Sequence, residues 1–599
     1  MSHFNTPSTA NDDQGTPSIL TSRLSRLNPF SKAQDDEDLG EQFDFDSIAG
    51  GGHASRPTAI TKRQLRVSHA LRRFLVDNNV LSHQDAAPDS ESMTPAICEL
   101  LDAPHIEVPA HATDRSHPLS EYFISSSHNT YLMAHQLYGT SSAVAYERAL
   151  LTGARCVEID AWDDDDDAEE PKVTHGYTLA SHISFRAVCE TIRDAIDKEV
   201  EQAARDQSLH PAPVLISLEN HCNAQGQLRL VQIMQEVWQD RLVSEAVRAE
   251  GHSEQQGTGE KIRLDHLGAK IAVMVEFHLA GEKGDGDGDD SSSSSSSSDD
   301  EDAEHQEDRK KYKEKKKATK AVGIIPELAA LGVYAQSVKP VNDSWLSGEL
   351  AAGPHNHLIN MSESGVGSLI PKSGDKIARH NARHLMRVYP KGTRISSRNL
   401  NPVPFWGVGA QVCALNWQSY DHAMQLNEAL FSGSDGYVLK PAALRIGGSG
   451  DLSTGRKKLK LHIAGATDLP IPSGRQADDI RPYVSCTLVH PSDLERKPPK
   501  RKTSGYKQHK LQIIHKGEQP INTDPIWNEV LEWEYDDNEL TFLRLIVKSD
   551  DKFSRNPMFA VAAVRLSYCT PHWRFIRLLD LKGRETHGTL LVKFDFEDI

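Results

Sequence analysis

The stretch from His117 to Asp163, HPLSEYFISSSHNTYLMAHQLYGTSSAVAYERALLTGARCVEIDAWD, constrains the fold more than any other part of the chain. FISSS is rich in strand-favouring residues and ends in the polar pair His128-Asn129. Ser141 to Thr152 is compatible with a helix, and Arg155 to Asp160 reads as a second, buried strand ending in acids. Side chains alternate along a strand, so Glu158 and Asp160 project from one face. Strand, helix and strand in that order point to a parallel α/β array, whose ligand sites lie beyond the carboxyl ends of the strands. The stretch therefore places an imidazole, an amide and two carboxylates at one candidate site.

The alternation continues. Lys172 to Thr178 puts His175 at a strand end, Val214 to Asn220 puts Glu219 at another, and Lys270 to Phe277 is a further apolar run. Helical segments such as Phe185 to Ala204 separate them, as a parallel sheet with helical crossovers requires. The rhythm stops at an acidic, serine-rich tract followed by RKKYKEKKKATK, neither of which can bury a core. It resumes with LGVYAQSVKP, HLINMSES, HLMRVYPKG, VCALNWQS and DGYVLKP. From about Lys457 the strand-like runs follow one another without helices, which predicts an antiparallel sandwich.

SSSHNTYL followed by VEIDAWD closely resembles the X box of eukaryotic phosphoinositide-specific phospholipase C, in its compact delta-like form. The later runs resemble the family's Y box, and the C-terminal runs its C2 domain. The resemblance implies a multidomain fold. A distorted TIM-type (β/α)8 barrel is split into X and Y halves, and an antiparallel C2 sandwich follows. A short EF-hand-like helical region precedes the barrel. The expected boundaries are a disordered 1–55, helices over 56–112, the X half over 113–281, a disordered linker over 282–320, the Y half over 321–446 and C2 over 447–599. Thr61 to Leu81 has helical periodicity, and no calcium loop of the D-x-D-x-D-G type is present there.

Four oxygen donors, Asn129, Glu158, Asp160 and Glu219, suit calcium, and the absence of soft ligands disfavours zinc or copper. The activity implied is calcium-dependent hydrolysis of phosphoinositides to diacylglycerol and inositol phosphates through a cyclic intermediate, as part of lipid signalling. By the same resemblance, His128 steadies the phosphoryl oxygens and His175 protonates the leaving alkoxide. Glu158 or Glu219 takes the proton of the attacking hydroxyl. Arg387, Tyr389, Asn360 and Lys339 match positions that contact the inositol ring and its phosphates, and Leu137 and Leu179 match an apolar membrane ridge. A catalytically silent lipid-binding scaffold and a calcium-independent phosphodiesterase are the competing classes.

Several positions depart from the family pattern. Met274 and Glu276 stand where a lysine pair usually grips ring phosphates, Asn360 replaces a serine, and Thr393 replaces a ridge tryptophan. These departures predict relaxed selectivity for the bisphosphate headgroup and shallower membrane insertion. In the C2 loops, Arg481 and Ser549 stand where acids are common and Asp551 is retained, which predicts weak calcium binding. KPPKRKTSGYKQHK nearby offers a basic face toward anionic lipid, and the acidic linker offers a means of autoinhibition.

The formal charge of −18 argues against nucleic acid as a partner. Seven scattered cysteines suit a reducing compartment, and no apolar run is long enough to span a bilayer. The expectation is a cytoplasmic monomer that meets phosphoinositide-bearing membranes peripherally, with no module that names an upstream activator.

Overall fold

The computed structural model describes residues 64–599, apart from 134–140, 165, 168, 175–181, 207–208, 249–260, 280–322, 348–349, 351, 392–397, 473, 495, 509–519 and 551–556. His175, Leu137, Leu179, Thr393, Asp551, the acidic linker and the expected disordered N-terminus lie outside the described residues, as does part of the basic C2 loop.

The first sheet comprises β1 (Tyr122–Ile124), β2 (Cys156–Trp162), β3 (Lys172–Val173), β4 (Ile183–Ser184), β5 (Val214–His221), β6 (Ile271–Glu276), β7 (Gln336–Val338), β8 (His357–Ser362), β9 (Leu385–Tyr389), β10 (Val412–Cys413) and β11 (Tyr437–Leu439). Parallel pairing runs from β1 through β10, β9, β8, β7, β6 and β5 to β2. A parallel bridge between Ser126 and Cys156 brings β2 back to β1 and closes the barrel. β11 adds antiparallel to β1, outside the ring. The Lys172–Thr178 run is not one of the parallel strands. Of its described residues, Lys172–Val173 is extended and folds back antiparallel on β2. The connection from Trp162 to Lys172 is too short for the crossover of a dozen or more residues that a parallel strand needs.

The helices pack outside the ring. In Phe185–Arg205, Ser184 Oγ accepts from the Ala187 N–H at the start of the helix. Its buried stripe of Phe185, Val188, Cys189, Ile192, Ala195 and Ile196 follows helical spacing. It meets the outward residues Val157, Ile159 and Ala161 of β2 in one core, each large side chain contributing about 1.5–3 kcal/mol. The inward residues of the strands form layers. Leu215, Ala272, Leu358, Leu385 and Val412 make an apolar floor, and Met274 lies with them. Further toward the strands' carboxyl ends the inward positions turn polar, at Glu158, Asp160, Glu219, Asn360 and Arg387.

The second sheet is wholly antiparallel. It comprises β12 (Ser453–Thr467), β13 (Pro482–Val489), β14 (Lys500–Lys502), β15 (Ile526–Asn538), β16 (Phe542–Ser549), β17 (Met558–Arg565), β18 (Arg574–Leu579) and β19 (Glu585–Asp598), in the order β14-β13-β16-β17-β18-β19-β12-β15. It shares a core with the barrel, since Phe542, Ile546 and Val561 pack with Trp406 and Phe431. Arg544 Nε also donates to Gln425 Oε1 across the junction at 2.6 Å. Short helices at His69–Asp77, His83–Ala86 and Pro95–Asp102 precede the barrel. They cover the sandwich, with Leu71, Phe74 and Ile97 against Ala464, Phe575 and Leu591.

Candidate active site at the barrel mouth

The site is built from the tips of β1, β2, β5, β8 and β9. After β1, Ser127 N–H donates to Cys156 O at 2.8 Å and His128 N–H to Leu415 O at 2.7 Å. Asn129 then turns the chain with a φ of 45°, a left-handed conformation that asparagine tolerates better than most residues. This turn aims the Asn129 N–H at Glu158 Oε2, 2.8 Å away. Thr130 Oγ1 accepts from the Glu158 N–H at 3.0 Å, and Tyr131 donates its hydroxyl to Asp160 Oδ2 at 2.7 Å.

The register of β2 with β5 sets Asp160 opposite Glu219. One carboxylate oxygen from each of Glu158, Asp160 and Glu219 lies within 4.8 Å of the other two. Glu158 and Asp160 are buried, and Asp160 Oδ1 has no hydrogen-bond partner among the described residues. Three carboxylates packed this closely, one oxygen lacking a donor, form a donor set that a hard cation completes. The counter-charge in place is Arg387. It is buried, its Nη2 lies 2.5 Å from Glu158 Oε1, and its Nη1 donates to Asn360 Oδ1 at 3.2 Å and approaches Glu219 Oε1 at 4.0 Å. The pairing of β8 with β9 puts Asn360 directly opposite Arg387. The Tyr389 ring lies beneath the guanidinium, 5.5 Å from its carbon.

Burial pushes the Glu158 and Asp160 carboxyls up, and their mutual repulsion with Glu219 adds to it. Burial also opposes ionisation of Glu219, but Arg387, Lys339 and His221 outweigh it and hold that carboxyl down. His128 is lowered to about 4, chiefly by burial and then by Arg387, so its imidazole is neutral at neutral pH. Its Nδ1 lies 3.0 Å from Asn416 Oδ1, an acceptor, and its Nε2 faces Glu158 Oε2 at 4.0 Å.

Residues 115–276 match the model of the phosphatidylinositol-specific phospholipase C X domain, residues 328–443 that of the Y domain and residues 457–578 that of the C2 domain. This chain belongs to the phosphatidylinositol-specific phospholipase C family. It is 31% identical over 573 residues to 1-phosphatidylinositol 4,5-bisphosphate phosphodiesterase 1 of Candida albicans, with 85% of this chain and 50% of that protein covered. It is 34% identical over 479 residues to the delta-3 phosphodiesterase of Homo sapiens, with 78% and 55% covered. The chain thus spans about half the length of these curated relatives. The crystal structure of L. pealei PLC21 superposes with a TM-score of 0.65 at 25% identity, over 94% of this chain and 65% of that one.

Of the residues expected at the candidate site, the structure brings His128, Asn129, Glu158, Asp160, Glu219, Arg387, Asn360 and Tyr389 to one mouth. Lys339, just past β7, acts electrostatically on Glu219 and Glu276. The two departures from the lysine pair differ in depth. Met274 is buried in the apolar interior, level with Ser217, whereas Glu276 is only partly covered and its carboxyl is raised, first by burial. Tyr131 and Asn416, which hold Asp160 and His128, were not among the expected residues. Asn416 follows a strand-like run just as His128 does, which is the signal that marks it. His221, stacked on Trp162 at 4.0 Å, is a further one.

Proposed function

We propose that this chain is a calcium-dependent phosphoinositide phospholipase C. The observation that carries the reading is the convergence of Glu158, Asp160 and Glu219 beside His128 and Arg387 at the barrel mouth. Asn129, Glu158, Asp160 and Glu219 would hold the calcium ion. Bound there, calcium lowers the pKa of the inositol 2-hydroxyl and offsets phosphate charge.

The chain's own residues do the rest. Glu158 or Glu219 accepts the 2-hydroxyl proton as that oxygen bonds to phosphorus. The bond from phosphorus to the diacylglycerol oxygen breaks, and His175 gives that oxygen a proton. A cyclic inositol phosphate results, and His175 then takes a proton from the water that opens it. His128 lies within reach of Glu158 and faces the phosphoryl oxygens. Once protonated at Nε2 it donates to them as charge develops. Arg387, Tyr389, Asn360 and Lys339 receive the inositol ring and its phosphates.

With Met274 in the barrel interior and Glu276 at the mouth, the chain lacks two cations for ring phosphates, so phosphatidylinositol is turned over well relative to its 4,5-bisphosphate. The enzyme works as a cytoplasmic monomer docked peripherally on a phosphoinositide-bearing membrane, with Leu137 and Leu179 on its apolar ridge. No described helix is long and apolar enough to cross a membrane. Inositol phosphate release from defined mixed micelles across calcium concentrations tests the reading, with His128→Ala as control. Calcium-dependent release abolished in the variant is expected. Release that persists in chelator, or no release at any calcium level, overturns it. A strong preference for the bisphosphate defeats the selectivity reading alone.

A further inference from the structure

At the opposite end of the barrel, below the apolar floor, lies a second polar site. His357 opens β8, His384 immediately precedes β9, and His380 sits in the last turn of the helix Glu363–Asn381. The His357 and His384 rings stack with centroids 4.1 Å apart, and the His380 ring centroid is 5.1 Å from that of His384. These imidazoles line a cavity of about 850 Å³. Lys261, Lys376, Arg379, Arg383 and Arg445 also line it, with no acidic side chain among the described lining residues.

Two observations mark this cavity as incomplete. Arg445 Nε is buried and meets no hydrogen-bond acceptor among the described residues. The second concerns tautomers. His357 Nδ1 lies 3.1 Å from Pro354 O, and His380 Nδ1 lies 2.9 Å from Asn381 Oδ1. Asn381 Nδ2 donates to Val408 O at 2.9 Å, which fixes Oδ1 as the acceptor. Both Nδ1 atoms must therefore carry hydrogen, and each neutral ring then presents a lone pair at Nε2. Yet the two Nε2 atoms face each other at 3.0 Å. A proton between them converts that repulsion into an N–H···N bond.

The neighbours oppose that proton. Burial first, and then like charges, lower His357 to about 4 and His380 to about 3. The titratable groups facing the pair are Lys261, His355, His384 and Lys440, whose Nζ donates to Asn381 O at 2.9 Å and whose charge burial disfavours and Glu121 supports. Lys376, Arg383 and Arg445 complete the rim, together with Arg379, which pairs with Asp375 at 2.7 Å. A divalent metal between the two imidazoles would add to this positive charge. An anion in the cavity would cancel it, give Arg445 an acceptor, and allow the proton in.

We propose that this floor cavity binds a polyvalent oxyanion of the phosphate class, and that binding is coupled to uptake of one proton shared by His357 and His380. The inference does not rest on the catalytic reading. Sulfate is the probe, because it stays dianionic near neutral pH and only the protein then titrates. Calorimetric titration of the full chain at pH 6 and pH 8, at fixed ionic strength and in two buffers of different ionisation enthalpy, reads both affinity and proton uptake. Affinity should fall with rising pH, by up to roughly tenfold per pH unit. The enthalpy should depend on the buffer with the sign of proton uptake.

Arg383→Gln and Lys376→Gln change exposed residues away from the catalytic mouth. They should weaken binding while leaving inositol phosphate release intact. His380→Gln should retain some binding and lose the proton uptake. Pyrophosphate in place of sulfate identifies a free solute as the ligand. Binding that needs vesicles of phosphatidylcholine with phosphatidic acid, and that is lost in Arg383→Gln, identifies a lipid headgroup. Absence of binding to sulfate, pyrophosphate and the phosphatidic acid vesicles alike, binding without proton uptake, or stoichiometric zinc binding in its place overturns the proposal.

Discussion

Arg387→Met tests the electrostatic logic of the mouth most sharply. The guanidinium is 2% exposed, pairs with Glu158 (1% exposed) and approaches Glu219 at 4.0 Å. Methionine keeps much of the volume and removes the charge. In chelator the variant must fold with Glu158, Asp160 and Glu219 facing one another without the guanidinium, Lys339 and His221 still acting on Glu219. Breaking a buried ion pair by removing one partner costs about 3–5 kcal/mol. At roughly 2–4 °C per kcal/mol, the barrel's melting temperature should drop by on the order of 10 °C. Saturating calcium supplies the missing charge and binds only the folded state, so it should restore much of that loss. The calcium-induced rise in melting temperature should therefore be larger in the variant than in the parent. Scanning calorimetry with chelator and with calcium measures both. A variant that melts with the parent in chelator, or gains no more than the parent from calcium, refutes the reasoning.

Tyr131→Phe removes the only hydroxyl that bonds Asp160 among the described residues and should cost about 1–3 kcal/mol in chelator, measured by denaturant unfolding. Acidification should destabilise the barrel floor. His357, His380 and His384 are lowered to about 4, 3 and 2, chiefly by burial. The unfolded chain therefore takes up protons below about pH 6.5 that the folded chain refuses. Their contribution is complete above that pH and is lost as pH falls toward the folded values. Melting curves from pH 7.5 to 4.5 should show this fall, and His384→Gln should flatten it. Gly436→Ala should destabilise by about 1–3 kcal/mol in thermal unfolding. Gly436 has a φ of 92°, and an added Cβ would lie 2.4 Å from Gly153 O. Glu158→Gln and Glu219→Gln should separate the proton acceptor from the purely ligating acid, since only loss of the acceptor removes the acidic limb of the pH–rate profile at saturating calcium.

The parts of the site that were legible in the sequence are those set by strand period and strand ends. Glu158 and Asp160 share a face because they are two positions apart, and Glu219 reaches the level of Asp160 because β5 is parallel to β2 in register. The partners were not legible, because register between distant strands decides them. His128 finds Asn416 across 288 positions, and Arg387 finds Glu158 across 229. A spacing argument also missed that β3 turns back on β2. Strand content was read there without the length of the connection, which rules out a parallel neighbour. Met274 shows the limit of aligning residue types. It occupies the matched position, but its inward layer lies level with Ser217 and Glu158, one layer below Asp160 and Glu219. The floor cavity had no sequence signature, since its histidines come from a strand start, a helix end and the turn that leads from that helix into β9.

The central claim is that three clustered carboxylates hold one calcium ion. Equilibrium dialysis against calcium, comparing the parent chain with Asp160→Asn, tests it most directly. The account predicts one fewer bound calcium per chain in the variant, with inositol phosphate release falling in parallel. Equal calcium occupancy in parent and variant would contradict it.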